Sequence, residues 1–418
     1  MNRAELKRSI RDRLFRDRGG GAGLEKSNRA ELRRELEGYL KRVRGVRLDA
    51  HERERMLDEI VDDLIGYGPL SALLQDGSVT EIMVNGPKVI YVERNGIFEE
   101  SKLRFDDDHH LKSVVQRMAR VSGRRVDESS PCADLHLEDG TRVNVVYSPI
   151  AVGGPFVTLR KPGKSMAGLE ELMEVGTLDV AMARFLWACV QAGINMLISG
   201  ATGAGKTTLM EVLSAYIDER ERIITIEDNC ELRLRQQHVV RMETRNANIE
   251  GKGEVTLRDL FVNSLRMRPH RIILGEIRGP EAFDYLQALT SGHRGSMAVI
   301  HAASPQEVVL RLENLVHLAG RSVPPMVVRN QIVQGLELVI QLTQLSDGTR
   351  RVTQISEIMG LDEDGLITLR DIFRFEETGS DREGRVRGRF LASGDVPFFF
   401  DRFERLNLEI DETVFQGR

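Results

Sequence analysis

The chain has 418 residues, a net charge of −5 and only 5% aromatic residues. That length allows two or three domains with proper cores, and the acidic balance with few aromatics excludes a general nucleic-acid coat and counts against a base-stacking platform. Cys132, Cys189 and Cys230 are an odd number, far apart and without a CxxC pair, which excludes a disulfide frame and a zinc site and fits a reduced interior. No apolar h-region follows the basic start, so no secretory signal is expected. The most apolar stretch, Phe185 to Ile198, is broken by Gln191, Gly193 and Asn195 before it reaches the ~20 residues of a membrane span.

Asn2-Arg-Ala-Glu-Leu-Lys-Arg8 is nearly repeated as Asn28-Arg-Ala-Glu-Leu-Arg-Arg34. Both read as helix starts with an Asn cap and Glu three residues on. Gly19–Gly23 between them reads as a flexible linker, which predicts a loose basic helix, a hinge, and charged helices to about Ile65. Residues 1–18 hold seven Lys/Arg against three Asp/Glu, either a solvated helix face or an electrostatic foot on anionic lipid or a partner. From Val79 the period changes to two. Strands are predicted at Thr80–Gly86 and Val89–Glu93 with Asn-Gly turns, then a helix near Leu111–Val121 and strands at Leu135–Leu137, Arg142–Tyr147 and Val157–Leu159. This makes a small α+β domain over 66–160, preceded by a helical region over 1–65. Arg160-Lys-Pro-Gly-Lys164 reads as the connection to the rest, 165–418.

The second half alternates helix and strand: a helix over Val180–Ala192, then strands at Met196–Ser199, Arg222–Ile226, Val239–Glu243, Arg271–Leu274 and Ser296–Ile300 with helices between. An α/β fold with a mostly parallel sheet follows, its ligand at the strands' carboxyl ends. Asp347-Gly348 marks a hairpin, after which a β-rich tail is predicted to run to the C-terminus.

The first of these strands turns into Gly200-Ala-Thr202-Gly203-Ala204-Gly205-Lys206-Thr207-Thr208. A strand, a glycine-rich loop and a helix in this order form a phosphate cradle. Backbone N–H groups and Lys206 face the polyphosphate of ATP, and the Thr207 hydroxyl suits Mg²⁺. Glu276 ends the strand Arg271–Leu274 where a carboxylate can hold Mg²⁺ through water or accept a proton from an attacking water. Ile223-Ile-Thr-Ile226 similarly ends in Glu227-Asp228, with Glu231 one helical turn on, and either Glu227 or Glu276 can serve as general base. His293 lies between glycines and His301 follows a buried strand, with no third ligand at metal spacing.

Together, Gly200–Thr207, Ile226-Glu-Asp228, Leu265-Arg-Met-Arg-Pro269, Gly275-Glu-Ile-Arg-Gly279 and Gly292-His…Ile-His301-Ala resemble the Walker A, Asp box, Walker B and His box of the type II/type IV secretion and pilus ATPase superfamily. Glu-Thr-Arg245…Gly251, Gly123-Arg-Arg…Pro131, Asp139-Gly-Thr-Arg-Val-Asn144 and Asp347-Gly-Thr-Arg-Arg351 resemble its CpaF branch, the Tad/Flp pilus assembly ATPases. The resemblance spans about Leu64 to Leu391. It implies a RecA-like P-loop ATPase domain in a homohexamer, using ATP and Mg²⁺ to drive pilin through an inner-membrane platform protein. Such a motor is cytoplasmic and peripheral on the inner membrane through its partner, with no stable nucleic acid. It further implies hydrolytic roles for Glu227 and Glu276, phosphate sensing by His293 and His301, and phosphate contacts from Arg142 and Arg160. Departures are His270 where Asp is usual, Ala201 for Gly, and Arg294 for Asp, which is expected to add positive charge near the site.

Three alternatives remain beside this reading: a type IV secretion traffic ATPase, which shares these boxes, a nucleic-acid-dependent RecA-like motor, and a P-loop kinase. The last needs an acceptor pocket and an arginine-rich lid that the sequence does not show.

Overall fold

A computed structural model describes residues 3–17, 28–42, 49–94, 96–162, 168–245, 247, 251–320 and 323–416. The predicted linker Gly19–Gly23 and the end of the predicted connection, from Gly163 on, lie outside the described residues. The chain divides into two compact units, Met1–Gly163 and Lys164–Arg418.

The first unit begins with α1 (Arg3–Asp17), α2 (Arg29–Arg42) and α3 (Ala50–Ile65). Asp49 and Glu52 close a capping box at the start of α3. The expectation of a loose basic helix is not met. Leu6, Ile10 and Leu14 recur every four residues on one face of α1 and are buried with Leu32, Leu36, Met56 and Ile60. One cation of α1 is taken up inside the bundle, Lys7 Nζ lying 2.7 Å from the buried Asp63 Oδ2, and at the surface of α2 Arg29 pairs with Asp62 at 2.8 Å and Arg33 with Asp58 at 3.0 Å. Glu59 and Asp63 of α3 thus engage Lys7, one of the seven basic residues of 1–18. Leu14 is fully buried, so Leu14→Ala is expected to lower stability by about 2–4 kcal/mol, measurable as an earlier denaturant midpoint of the full-length protein.

Next come α4 (Leu70–Gln75), β1 (Val79–Asn85), β2 (Ile90–Arg94), β3 (Ile97–Glu100), α5 (Asp108–Val121), β4 (Cys132–His136), β5 (Arg142–Val146) and β6 (Phe156–Arg160). Strand β3 is exposed along its whole length and was not among the predicted strands, because it carries no alternating apolar pattern. The six strands form one antiparallel sheet in the order β3-β2-β1-β6-β5-β4. Their apolar positions pack on α5 through Leu111, Val114, Val115 and Met118. Arg117 ties α5 to α3, its Nε donating to the Gly66 carbonyl and its Nη2 to that of Asp63, each at 2.9 Å.

The second unit contains α6 (Leu169–Glu174), α7 (Val180–Gln191), β7 (Met196–Gly200), α8 (Lys206–Ser214), β8 (Ile223–Glu227), β9 (Val239–Glu243), α9 (Leu257–Ser264), β10 (Arg271–Leu274), α10 (Glu281–Thr290), β11 (Met297–Ile300), α11 (Pro305–Leu318), α12 (Pro325–Gly335), β12 (Leu338–Gln344), β13 (Arg350–Leu361), β14 (Ile367–Ser380), β15 (Val386–Ala392) and α13 (Asp401–Arg405). Nine strands form one sheet in the order β15-β14-β13-β12-β7-β11-β10-β8-β9. From β12 to β9 every pairing is parallel, and β12 to β15 is an antiparallel meander.

Burial on both faces explains the nearly continuous apolar strands. Met196 and Ile198 of β7 point into the core shared with α7 and α8, and Leu197 points into the one shared with α9 to α12. The predicted β tail stops at Ala392. Beyond it the chain folds back as α13 and a 3₁₀ turn, Glu412–Phe415, whose Phe403 and Phe415 pack edge-on to Phe185 of α7, with ring centroids 6.2 and 5.5 Å away. Burial of these aromatic rings outweighs the β propensity of the segment's side chains.

Candidate nucleotide site

The loop Gly200–Gly205 leaves the carboxyl end of β7, the middle strand of the nine-stranded sheet. Its last residue, Gly205, sits at φ 95° before α8 and offers no side-chain cap, so the first N–H groups of α8 are left to meet an anion. Gly200 admits no side chain, since a Cβ there would lie 2.4 Å from the Leu342 carbonyl oxygen of the adjacent strand β12. Ala204 is buried in the core beneath the loop, while Thr202 is exposed and Thr207 and Thr208 are half-buried at the start of α8. Arg350 of β13 braces the loop from outside, Nε donating to the Gly203 carbonyl at 2.7 Å.

Lys206 is 7% exposed. Its Nζ donates to the Ala201 carbonyl at 2.7 Å and lies 3.4 Å from His301 Nδ1. His301 Nε2 is in turn 3.0 Å from Glu276 Oε1, and Glu276 Oε2 accepts from Arg278 Nη2 at 2.6 Å. Arg278 Nη1 reaches Asp228 Oδ2 at 3.2 Å. Burial, and then the Lys206 charge, hold the His301 imidazole below its ordinary pKa. A neutral ring that accepts from Lys206 at Nδ1 and donates from Nε2 to Glu276 satisfies both contacts.

Glu227 is placed differently from Glu276. It is 3% exposed, and Oε2 accepts from the Glu231 and Leu232 amides at 2.8 and 2.9 Å. The expected helical turn at Glu231 does not form; residues 228–238 carry no regular secondary structure, and Glu227 staples their first turn instead. A Cβ on Gly275 would approach Glu227 Cγ to 2.9 Å. Glycine at position 275 leaves that space to the Glu227 side chain. Burial pushes the Glu227 carboxyl up to about 7. A carboxyl raised in the folded state favours folding below its unfolded value and loses that contribution as pH rises through about 7. Glu227→Gln is expected to gain up to about 3 kcal/mol relative to wild type between pH 5 and pH 8, read as converging or crossing thermal midpoints.

Strand polarity separates the two histidines. His301 follows β11 and so joins the phosphate loop, because β11 runs parallel to β7 with Ile300 opposite Ser199. His293 precedes β11, at the amino edge of the same sheet, where its carbonyl accepts from Ser296 Oγ at 3.1 Å. Within this unit the structure does not bring His293 to the Lys206 site. The same geometry corrects the expectation for Arg294. It lines a cavity of about 450 Å³ with Arg402 and Arg405 at the amino edge, and adds no charge at the phosphate loop. Arg142 and Arg160 stand directly opposite one another on β5 and β6 of the first unit, with Arg160 Nε 3.6 Å from Glu81 Oε1.

Arg278 and Arg350 received no role from the sequence. The Gly-Glu-Ile-Arg-Gly spacing already set Arg278 two residues beyond Glu276, whereas no local signal points from Arg350 to a loop 147 residues away. One further cluster, Asp63, Asp106 and His110, has the donor set of a metal centre. The Lys7 ammonium 2.7 Å from Asp63 Oδ2 already supplies the cation there. Among the described residues no helix is long and apolar enough to cross a membrane.

Residues 63–389 match the family described as type II/IV secretion system protein. The chain is 38% identical over 260 residues to the type IV secretion system protein PtlH of Bordetella pertussis, covering 56% of this chain and 76% of that one. It is 32% identical over 318 residues to the type IV secretion system protein VirB11 of Brucella suis, covering 69% and 88%. The solved structure of the Brucella suis VirB11 ATPase in complex with sulphate aligns at 30% identity and a TM-score of 0.38, over 69% of this chain and 94% of that one. With a match running from the end of α3 into β15 and the phosphate loop within it, the chain belongs to the type II/IV secretion system protein family.

Proposed function

We propose that this chain is the ATP-hydrolysing motor of a secretion or pilus machine. The observation that carries the reading is the line of contacts from Lys206 through His301 to Glu276 at the mouth of the phosphate loop. Lys206 and the first amides of α8 bind the β- and γ-phosphates of ATP. Glu276, partly exposed beside His301, orients the attacking water and takes its proton as the bond from the γ-phosphorus to the ADP oxygen breaks. His301 fixes the Glu276 carboxylate through Nε2. Glu227, sealed and bonded to two amides, is better suited to holding Asp228 and its loop in place than to proton transfer. A bound Mg²⁺ would supply charge neutralisation on the phosphates, and the residues fitted to hold it are Thr207 through its hydroxyl and Glu276 through water. For Arg142, Arg160 and His293, a part in hydrolysis rests on the family resemblance alone.

Product analysis of the purified protein with ATP and Mg²⁺ tests the reading. Free phosphate as the sole phosphoryl product supports it, a phosphorylated metabolite supports a kinase, and turnover that rises with single-stranded DNA supports a nucleic-acid motor.

The finer assignment proposed is a homohexamer that drives Tad/Flp pilus assembly against an inner-membrane platform protein, supported by the sequence segments Gly123–Pro131, Asp139–Asn144, Glu243–Gly251 and Asp347–Arg351. The relatives PtlH and VirB11 favour a second reading, a type IV secretion traffic ATPase. Deleting the gene in its host separates them. Loss of surface pili supports the first, and loss of protein or DNA transfer with pili intact supports the second.

A further inference from the structure

We propose that Arg278 is a positioning residue of the hydrolytic site, a guanidinium clamp that sets the spacing of Asp228 and Glu276 and links both to Lys206. The inference rests on the ATPase reading above.

Strands β8 and β10 are neighbours and parallel, with Ile226 opposite Leu274, so each delivers an acid to the same stretch of the carboxyl edge. Two carboxylates there repel one another unless a cation is held between them. Arg278 fills that place, Nη2 on Glu276 Oε2 at 2.6 Å and Nη1 on Asp228 Oδ2 at 3.2 Å. A planar fork can hold two carboxylates at a fixed separation, which a lysine ammonium on a flexible stem cannot.

Both ends of the clamp are anchored from behind. The amides of Arg278 and Gly279 each donate to Oε1 of Glu281 at 2.7 Å, and Glu281 is itself 3% exposed. On the other side, Thr244 Oγ1 donates to the Asp228 carbonyl at 3.1 Å, and Glu227 holds the next turn through the Glu231 and Leu232 amides. With the backbones pinned, the guanidinium decides where the carboxylates stand. Glu276 is then left one orientation, its remaining oxygen on His301 Nε2 at 3.0 Å. Five groups, Lys206, His301, Glu276, Arg278 and Asp228, thus form a continuous polar line along the sheet edge. At its far end lies the irregular segment 228–238, reached from Lys206 through two hydrogen-bond contacts and two ion-pair contacts.

The test compares Arg278→Gln, Arg278→Lys and Asp228→Asn in the full-length protein. Lys206 and the α8 amides are untouched in all three, so ATP affinity is expected to stay within about threefold of wild type, while kcat of Arg278→Gln falls roughly 10- to 100-fold. Arg278→Lys keeps the charge and loses the fork, and its kcat is expected to stay within about threefold of that of Arg278→Gln. Adding Asp228→Asn to Arg278→Gln is expected to lower kcat no further. Apart from turnover, hydrogen–deuterium exchange at 228–238 is expected to rise in Arg278→Gln with α8 unchanged. Wild-type kcat in Arg278→Gln, full rescue by lysine, additive losses, or a joint fall of affinity and thermal midpoint would each overturn the clamp. Absence of phosphate release by the wild-type protein overturns the ATPase reading and the clamp with it, whereas wild-type turnover with an indifferent Arg278 overturns the clamp alone.

Discussion

Lys206→Ala is expected to reduce phosphate release by at least roughly 100-fold and to weaken ATP binding with it. The ammonium is held beneath the loop by the Ala201 carbonyl and set against His301, and 7% exposure leaves it little freedom to be replaced by water. Alanine removes the cation of the loop and the partner of His301 Nδ1 at the same time. Because the ammonium binds the phosphates in the ground state and binds their developing charge more strongly in the transition state, KM rises and kcat falls. Titration with a fluorescent ATP analogue and a phosphate-release assay measure the two parts. Unchanged affinity and turnover would remove Lys206 from the site.

Glu276→Gln is expected to behave differently. Glutamine keeps the shape and can still accept from His301 Nε2, but it has no carboxylate to take a proton, and its amide nitrogen cannot accept from Arg278 Nη2, now 2.6 Å from Oε2. ATP affinity should remain within about threefold and kcat fall roughly 100- to 1,000-fold, giving a protein that binds ATP and holds it. Normal turnover would take the proton-transfer role from Glu276 and return it to Glu227, the other carboxylate at a strand end. The two variants together therefore separate holding the nucleotide from cleaving it.

Much of the second unit was legible because buried parallel strands are written as short apolar runs. Val239–Glu243 and Arg271–Leu274 are formed as read, and the phosphate loop announces itself by glycine spacing between a strand and a helix. Errors arose where a distant partner decides the outcome. Phe398 to Phe415 reads as a continuation of β structure, yet Phe185 recruits its rings into a helical cap. Arg3 to Asp17 reads as a free basic helix, yet the acids of α3 and the apolar face of α2 hold it. Charge and hydrophobicity were visible in both segments. What neutralises and covers them was not.

By itself the sequence determined the chemistry offered: a glycine loop with Lys206 and Thr207, carboxylates at the ends of β8 and β10, histidines around β11, and the boxes that carry the family resemblance. Local spacing suffices for these because each is a strand-to-loop junction within a few residues. Only the tertiary structure decided which groups meet. Strand order places β10 beside β8, so that Arg278 can join Asp228 to Glu276. Strand direction puts His301 at Lys206 and His293 at the opposite edge of the sheet. Close approach leaves the space beside Gly275 to the Glu227 side chain. Parallel pairing joins segments far apart in the chain, and no local pattern of side chains encodes which strand lies next to which.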